Sequence, residues 1–168
     1  MYKKTAFLGL FACLALICSY IEALIPLPIP IPGVKLGLAN VMIVICLYIY
    51  GAKDAIIINF IRIVLLAVLF ANPYSLMYSL AGAIISMAFM YPLYKSKKFS
   101  IIGVSVAGAV GHNLAQIIMA MWVTRILKLI DYFPVLILSG IVTGVIIGII
   151  GKLVIPKIKH IDLERIKE

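Results

Sequence analysis

The sequence predicts an all-α integral membrane protein, built as one bundle of six transmembrane helices. Apolar residues make up 65% of its 168 residues and charged residues only 12%, whereas charged residues make up about a quarter of a typical soluble domain. The mean hydropathy of +1.21 agrees with this class. The apolar residues fall in six stretches separated by short polar or proline-rich segments, and most basic residues lie at the ends of those stretches.

The first predicted span runs from Thr5 to Leu24, directly after Lys3 and Lys4. A basic start followed by an apolar stretch is also typical of a secretory signal peptide. We expect this segment to be retained, because its removal would leave five spans and would place the lysine-rich loop and tail on the opposite side of the membrane.

A proline strap follows the first span, within the stretch from Glu22 to Asn40. Its prolines alternate with leucine and isoleucine, so four amides lack a hydrogen-bond donor and a regular helix cannot form. Because an extended apolar segment is unfavourable in water, we predict that the strap caps a pocket between the helices through Pro28, Pro30, Pro32 and Lys35. The alternative is an extended connector that lies at the membrane interface.

Five further spans follow the strap. The second span of the chain is too short to cross a bilayer unaided, since a crossing helix needs about 20 residues. Gly51 to Asp54 are predicted to form the turn that follows it. We predict that residues 1–155 form a single six-helix domain and that residues 156–168 form a short charged cytoplasmic tail. The five predicted spans are Leu38–Tyr50, Ala55–Phe70, Tyr74–Tyr94, Ile101–Thr124 and Phe133–Ile155.

The distribution of basic residues predicts the orientation of the bundle. Eleven lysines and arginines fall on one side of the six-span arrangement and three on the other, with Arg62 inside the membrane. Because cytoplasmic loops carry an excess of Lys and Arg, we expect both termini on the cytoplasmic side of the membrane. Membrane orientation therefore explains the net charge of +9, and no nucleic-acid partner is indicated.

A polar face interrupts the apolar fifth span. Ser105, His112, Asn113 and Gln116 share a sector about 100° wide on this helix. Polar side chains at this depth need partners, either on a neighbouring helix or in a solvated pocket, and the pattern leaves both interpretations open. In the pocket interpretation, the ligand-binding residues are Asn40, Arg62, His112, Asn113 and Gln116.

Arg62 is the residue least expected in the membrane. Translocon-based scales assign an arginine at mid-membrane a cost of about 2.5 to 3.5 kcal/mol, so some group must compensate its charge. One interpretation is that Arg62 meets an anionic ligand or backbone carbonyls in the pocket. The other is that its long side chain reaches out to the membrane interface.

Small residues recur at helical spacing on the fourth and sixth spans. Such residues allow helix backbones to approach closely in lipid, and we interpret them as helix-packing positions rather than ligand contacts. The predicted packing residues are Ser79, Gly82, Gly140, Gly144 and Gly148.

The sequence contains no pattern typical of a catalytic site. Its six acidic residues include no aspartate cluster of the kind that holds Mg²⁺ against a diphosphate, and there is no phosphate-binding Gly-x-x-x-x-Gly-Lys loop. No Cys/His set has zinc spacing. We therefore predict that the chain is not an enzyme by itself and has neither a metal nor a cofactor.

Taken together, these residues resemble the Gx transporter family, whose members are often labelled heptaprenyl diphosphate synthase component I. That family is in turn similar to the substrate-binding S components of energy-coupling-factor (ECF) importers, although the Ala-x-x-x-Ala pattern of their first helix is absent here. The resemblance covers nearly the whole chain. It is carried by Pro28 to Asn40, Arg62, Ser79 to Gly82, Gly111, His112, Asn113, Gln116, Pro134, Ser139, Gly140, Thr143 and Gly144.

The resemblance implies a binding subunit for uptake of a small, possibly anionic solute, with a coupling subunit and ATPases as partners. The alternative function is a non-catalytic accessory or scaffold subunit that holds a polyprenyl diphosphate synthase or quinone-linked redox machinery at the membrane. In that case the cytoplasmic basic residues should carry the interaction. A self-contained ion-coupled carrier is a third interpretation, and it would need a mid-span carboxylate, which the sequence does not place there.

Overall fold

The computed structural model describes residues 2–24, 37–70 and 73–166, and it confirms an all-helical membrane bundle. Within these ranges there are six α-helices and one short 3₁₀ helix at Leu127–Tyr132. The capping residues of the strap, Pro28 to Lys35, lie outside the described residues. The α-helices are α1 (Tyr2–Leu24), α2 (Leu38–Ile49), α3 (Ala52–Phe70), α4 (Pro73–Ser96), α5 (Ile101–Thr124) and α6 (Phe133–Ile166).

Glycines and one serine determine where several helices start. Gly37 and Gly51 have φ angles of 79° and 93°, a left-handed conformation that glycine adopts readily, and α2 and α3 begin directly after them. The hydroxyl of Ser100 accepts a hydrogen bond of 3.1 Å from the amide of Gly103 and so caps α5. The predicted turn Gly51 to Asp54 was too long, because Asp54 already lies in the first turn of α3.

The sixth helix continues beyond Ile155, the predicted end of the sixth membrane span. It contains Pro156 and runs on to Ile166, so most of the predicted charged tail is helical. A proline removes one backbone hydrogen bond, and the residues that follow are mainly lysine, isoleucine, leucine and glutamate, several of which favour helix. Residues 156–166 therefore continue α6 as helix, and most of the charged residues of the predicted tail lie in this part.

Four described helices are long and apolar enough to cross a membrane. The corresponding segments are Lys4–Glu22, Leu76–Ser96, Ile101–Thr124 and Leu127–His160, the last of which includes the 3₁₀ helix before α6. The other two helices differ in ways that the sequence anticipated. Helix α2 has 12 residues and spans about 18 Å, which is less than the hydrocarbon thickness of about 30 Å. Helix α3 carries Lys53, Asp54 and Arg62.

The helices close into a ring. Helix α1 packs against α2 and α3, α3 against α4, α4 against α5, α5 against α6, and α6 against α2. The largest group of buried apolar residues lies where α2 meets its neighbours and includes Ile43, Ile45, Leu47 and Ile58. The short α2 is therefore covered by protein along much of its length.

One end of this ring carries most of the described lysines. The start of α1 meets the start of α3 through a 2.8 Å ion pair between Lys4 and Asp54. The end of α2 meets the end of α4 through an edge-to-face contact of Tyr48 with Tyr94. The exposed lysines at this basic end are Lys4, Lys53, Lys95, Lys97, Lys98, Lys152, Lys157 and Lys159.

Candidate functional site

Arg62 lies inside the bundle and bonds to protein side chains. It is 7% exposed, its Nη1 donates a hydrogen bond of 2.9 Å to the hydroxyl of Ser19 on α1, and its Nη2 donates one of 2.7 Å to Oδ1 of Asn59. Its Nε is buried and has no hydrogen-bond partner among the described residues. The structure thus provides protein partners where the sequence indicated a ligand, backbone carbonyls or the membrane interface.

Glu22 supplies the negative charge near Arg62. Its side chain is 5% exposed, and its carboxylate interacts favourably with the charge of Arg62. The same carboxylate accepts a hydrogen bond from the amide of Gly37, directly before α2. The Arg62–Glu22 network therefore joins α1, α3 and the start of α2.

His112 on α5 faces α4. A Cβ atom added to Gly82 would lie 2.4 Å from Cε1 of His112, a separation that real Cβ atoms essentially never show. Glycine at this position therefore leaves room for the imidazole. Ser79, one turn earlier on α4, is also buried.

Asn113 faces α6 instead. Its Nδ2 donates a hydrogen bond of 2.9 Å to the carbonyl oxygen of Leu136 and a longer one of 3.3 Å to the hydroxyl of Ser139. A polar side chain that bonds across two helices stabilises their association in lipid. Arg62 and Asn113, predicted to share one pocket, thus bond at different helix interfaces.

The glycine series of α6 lies against α5. A Cβ atom at Gly144 would come within 2.6 Å of the Cα of Val106, and one at Gly148 within 2.5 Å of the Cα of Ile102. At Gly140 the nearest atom is Nδ2 of Asn113, at 3.1 Å. Because the neighbours of Gly144 and Gly148 are backbone atoms, these two glycines allow the closest approach of the two helices.

Gln116 differs from the other predicted ligand-binding residues. It is 2% exposed, and neither its Oε1 nor its Nε2 has a hydrogen-bond partner among the described residues. A buried polar group left without a partner costs about 1 to 3 kcal/mol. The hydroxyl of Ser105, on the same face of α5, also lacks a hydrogen-bond partner among the described residues.

Asn40, the remaining predicted ligand-binding residue, is half-buried beside Gly37. Its backbone amide donates a hydrogen bond of 2.8 Å to the carbonyl oxygen of Gly37.

A cleft of about 540 Å³ lies between α3 and α4, and the sequence analysis did not predict it. Lys53 and Tyr91 line one end, Ile63 and Leu80 line the other, and Asn59 lies between them. Apolar residues that line a cleft and apolar residues that face lipid have the same helical pattern. Among the lining residues, only the small side chains of Ala83 and Ala88 on α4 could have indicated a gap between the two helices from the sequence.

The described residues contain no group of three or more His, Cys, Asp or Glu side chains that could hold a metal ion. Three groups of polar residues stand out in the described part of the bundle: the Arg62–Glu22 network, the polar face of α5 and the lysines at the basic end. These groups can bind anions and polar solutes, and they can hold helices together.

Comparison with known proteins places the chain in a family. Searches of curated proteins and of solved structures gave no match. The relation to S components of ECF importers therefore stays a prediction. Residues 11–154, well over half of the sequence, match the family described as heptaprenyl diphosphate synthase component I. The chain therefore belongs to the heptaprenyl diphosphate synthase component I family.

Proposed function

We propose that this chain is a non-catalytic membrane component that holds a heptaprenyl diphosphate synthase at the cytoplasmic face of a bacterial cell membrane. The family description supports the proposal, because it names one component of the synthase and not the enzyme as a whole. The chain also lacks the aspartate clusters that would bind Mg²⁺ and a diphosphate substrate.

The basic end of the bundle is the structural observation that carries the proposal. Its eight exposed lysines come from α1, α3, α4 and α6 and from the segment between α4 and α5. An extended α6 places Lys157 and Lys159 beyond the apolar part of that helix. A surface of this charge attracts acidic protein surfaces and anionic lipid headgroups, and it would sit where a cytoplasmic enzyme meets the membrane.

Affinity purification from native membranes in mild detergent, followed by mass spectrometry, tests the association. We expect a polyprenyl diphosphate synthase to co-purify with the wild-type chain. A variant with Lys152, Lys157 and Lys159 changed to Gln should retain much less of it. Lys128→Gln is the matched control, because Lys128 is an exposed lysine outside the basic end. Co-purification of redox partners without a synthase would overturn the proposal.

A second candidate function is a solute-binding subunit of an ECF-type importer, and the unpartnered side chain of Gln116 favours it. A buried amide without a protein partner is suited to a polar ligand, which could satisfy both its donor and its acceptor. The same purification distinguishes the two functions. A coupling subunit and ATPases among the co-purified proteins, with no synthase, would support the importer.

A further inference from the structure

The α3–α4 cleft runs from the basic end of the bundle towards its middle. On α3 its lining extends from Ala52 to Ile63, and on α4 it extends from Tyr91 back to Leu80. Each of these stretches covers eleven residue steps, or about 16 Å of helix. The two helices run in opposite directions, so one end of the cleft lies at the lysine-rich end of the bundle, and we call this end its mouth.

The walls of the cleft are apolar and open towards the surrounding lipid. Phe60 on α3 is 57% exposed and Ile84 on α4 is 65% exposed, and both line the cleft. Met87 lies deeper and is buried. A flexible hydrocarbon chain could therefore enter sideways from the bilayer and lie along the groove, where it would replace lipid contacts with protein contacts.

The mouth of the cleft is positively charged. Lys53 lines it on the α3 side, and the ammonium of Lys95 lies 5.9 Å from the ring centre of Tyr91 on the α4 side. The carboxylate of Asp54 forms a 2.8 Å ion pair with Lys4. Its charge is therefore balanced by Lys4 and does not neutralise Lys53. The first amides of α3 also lie here, and such amides have no acceptor within their own helix.

From this combination we propose that the cleft binds an isoprenoid diphosphate, with the prenyl chain along the groove and the diphosphate at Lys53 and Lys95. The inference rests on the proposed function, because a heptaprenyl diphosphate synthase held beside this chain would make a polyprenyl diphosphate. The charge of the mouth matches a diphosphate headgroup, and the single groove matches one hydrocarbon chain. The part of a long prenyl chain that exceeds the cleft would extend into the bilayer.

Photo-crosslinking tests the assignment directly. The full chain is placed in nanodiscs of phosphatidylcholine and exposed to farnesyl diphosphate that carries a diazirine on its prenyl chain. We expect label on peptides of α3 and α4, and we expect unmodified geranylgeranyl diphosphate to compete with it. A second, smaller apolar cleft between α1, α2 and α6, lined by Phe7, Leu14, Met42 and Val154, serves as an internal control and should be labelled weakly.

Variants separate the charge of the mouth from the shape of the groove. Lys53→Gln and Lys95→Gln should each weaken the binding about fivefold, as expected for one exposed ion pair. Lys128→Gln removes the same charge from an exposed position outside the basic end and should leave the binding unchanged. Ala83→Phe should fill the groove and abolish the labelling of α3, whereas Val142→Phe adds the same ring to an exposed position of α6 and should not.

Several outcomes would overturn the assignment. Equal labelling of both clefts, competition by phosphatidic acid as effective as that by the prenyl diphosphate, or equal labelling by a diazirine farnesol would each indicate a general lipid groove. Unchanged binding in Lys53→Gln and Lys95→Gln would also contradict it, even if Ala83→Phe failed to fold. If a synthase co-purifies but the cleft is not labelled, only this inference fails. If the cleft is labelled specifically and no synthase co-purifies, the proposed function fails, but the α3–α4 cleft is still shown to bind an isoprenoid diphosphate.

Discussion

The guanidinium of Arg62 donates a 2.9 Å hydrogen bond to the hydroxyl of Ser19, which connects α3 to α1 inside the membrane-spanning part of the bundle. Asn59 accepts a second hydrogen bond and Glu22 supplies the opposite charge. A buried charge is tolerated when hydrogen bonds and an opposite charge compensate it, and here Ser19, Asn59 and the carboxylate of Glu22 contribute to that compensation. Arg62 therefore has a structural role, whether or not it also contacts a ligand.

Arg62→Met is expected to destabilise the bundle by about 3 to 5 kcal/mol, because it leaves the carboxylate of Glu22 buried without its cation. The measurement is thermal unfolding in detergent, followed by size-exclusion chromatography with fluorescence detection. The double variant Arg62→Met, Glu22→Gln should recover part of the loss, since the glutamine oxygen can still accept from Gly37. A double variant as unstable as Arg62→Met alone would contradict the pairing of Arg62 with Glu22.

Gly82→Ala is expected to destabilise the protein by about 1 to 3 kcal/mol, because the new methyl group would overlap the imidazole of His112. Gly9→Ala is the matched control, since a Cβ atom there would have no neighbour within 4 Å. The control should be neutral or slightly stabilising, as alanine favours helix over glycine. The same unfolding assay applies. Equal losses in both variants would show that His112 does not restrict this position.

Asn113→Leu is expected to weaken the association of α5 with α6 by about 1 kcal/mol, the scale measured for hydrogen bonds between membrane helices. The loss comes mainly from the bond to the carbonyl oxygen of Leu136. Ser139→Ala should cost less, because the contact from Asn113 to Ser139 is longer, at 3.3 Å. A more stable Asn113→Leu variant would show that this contact does not stabilise the packing.

Gln116→Leu is expected to stabilise the purified, ligand-free protein by about 1 to 3 kcal/mol, because it removes a buried amide that lacks partners. The volume of the side chain is nearly conserved, so packing should change little. If the importer function holds, the same variant should lose solute uptake while it gains thermal stability. A clear loss of stability in ligand-free protein would show that Gln116 already has partners.

Much of the fold could be predicted from the sequence, because the bilayer imposes a strong constraint on helix length and polarity. The start of α5 at Ile101 and its end at Thr124 were predicted correctly, since a capping serine and a polar segment bound an apolar run. Helix α6 continues past Ile155, where the predicted sixth span ends. Pro156 coincides with the change from apolar to charged residues, and the sequence alone does not show whether the helix continues there.

The polar residues were harder to place, because a helix projection shows the face of a residue but not which neighbour covers that face. Asn113 and His112 are adjacent in sequence, yet one bonds to α6 and the other packs against α4. Glu22, near the end of α1, is buried, and its charge acts on Arg62 from another helix, which the helix projection could not show. The α3–α4 cleft depends on how far two helices separate, which helical periodicity does not encode.

Co-flotation with proteoliposomes measures directly whether this chain holds a synthase at the membrane. The purified catalytic part of a heptaprenyl diphosphate synthase is mixed with phosphatidylcholine vesicles that contain this chain, and the vesicles are floated on a density gradient. We expect the synthase to float with these vesicles but not with empty ones. Changing Lys152, Lys157 and Lys159 to Gln should reduce its recovery, whereas Lys128→Gln should not. A synthase that stays at the bottom of the gradient, or that floats equally with empty vesicles, would show that this chain does not hold the enzyme at the membrane.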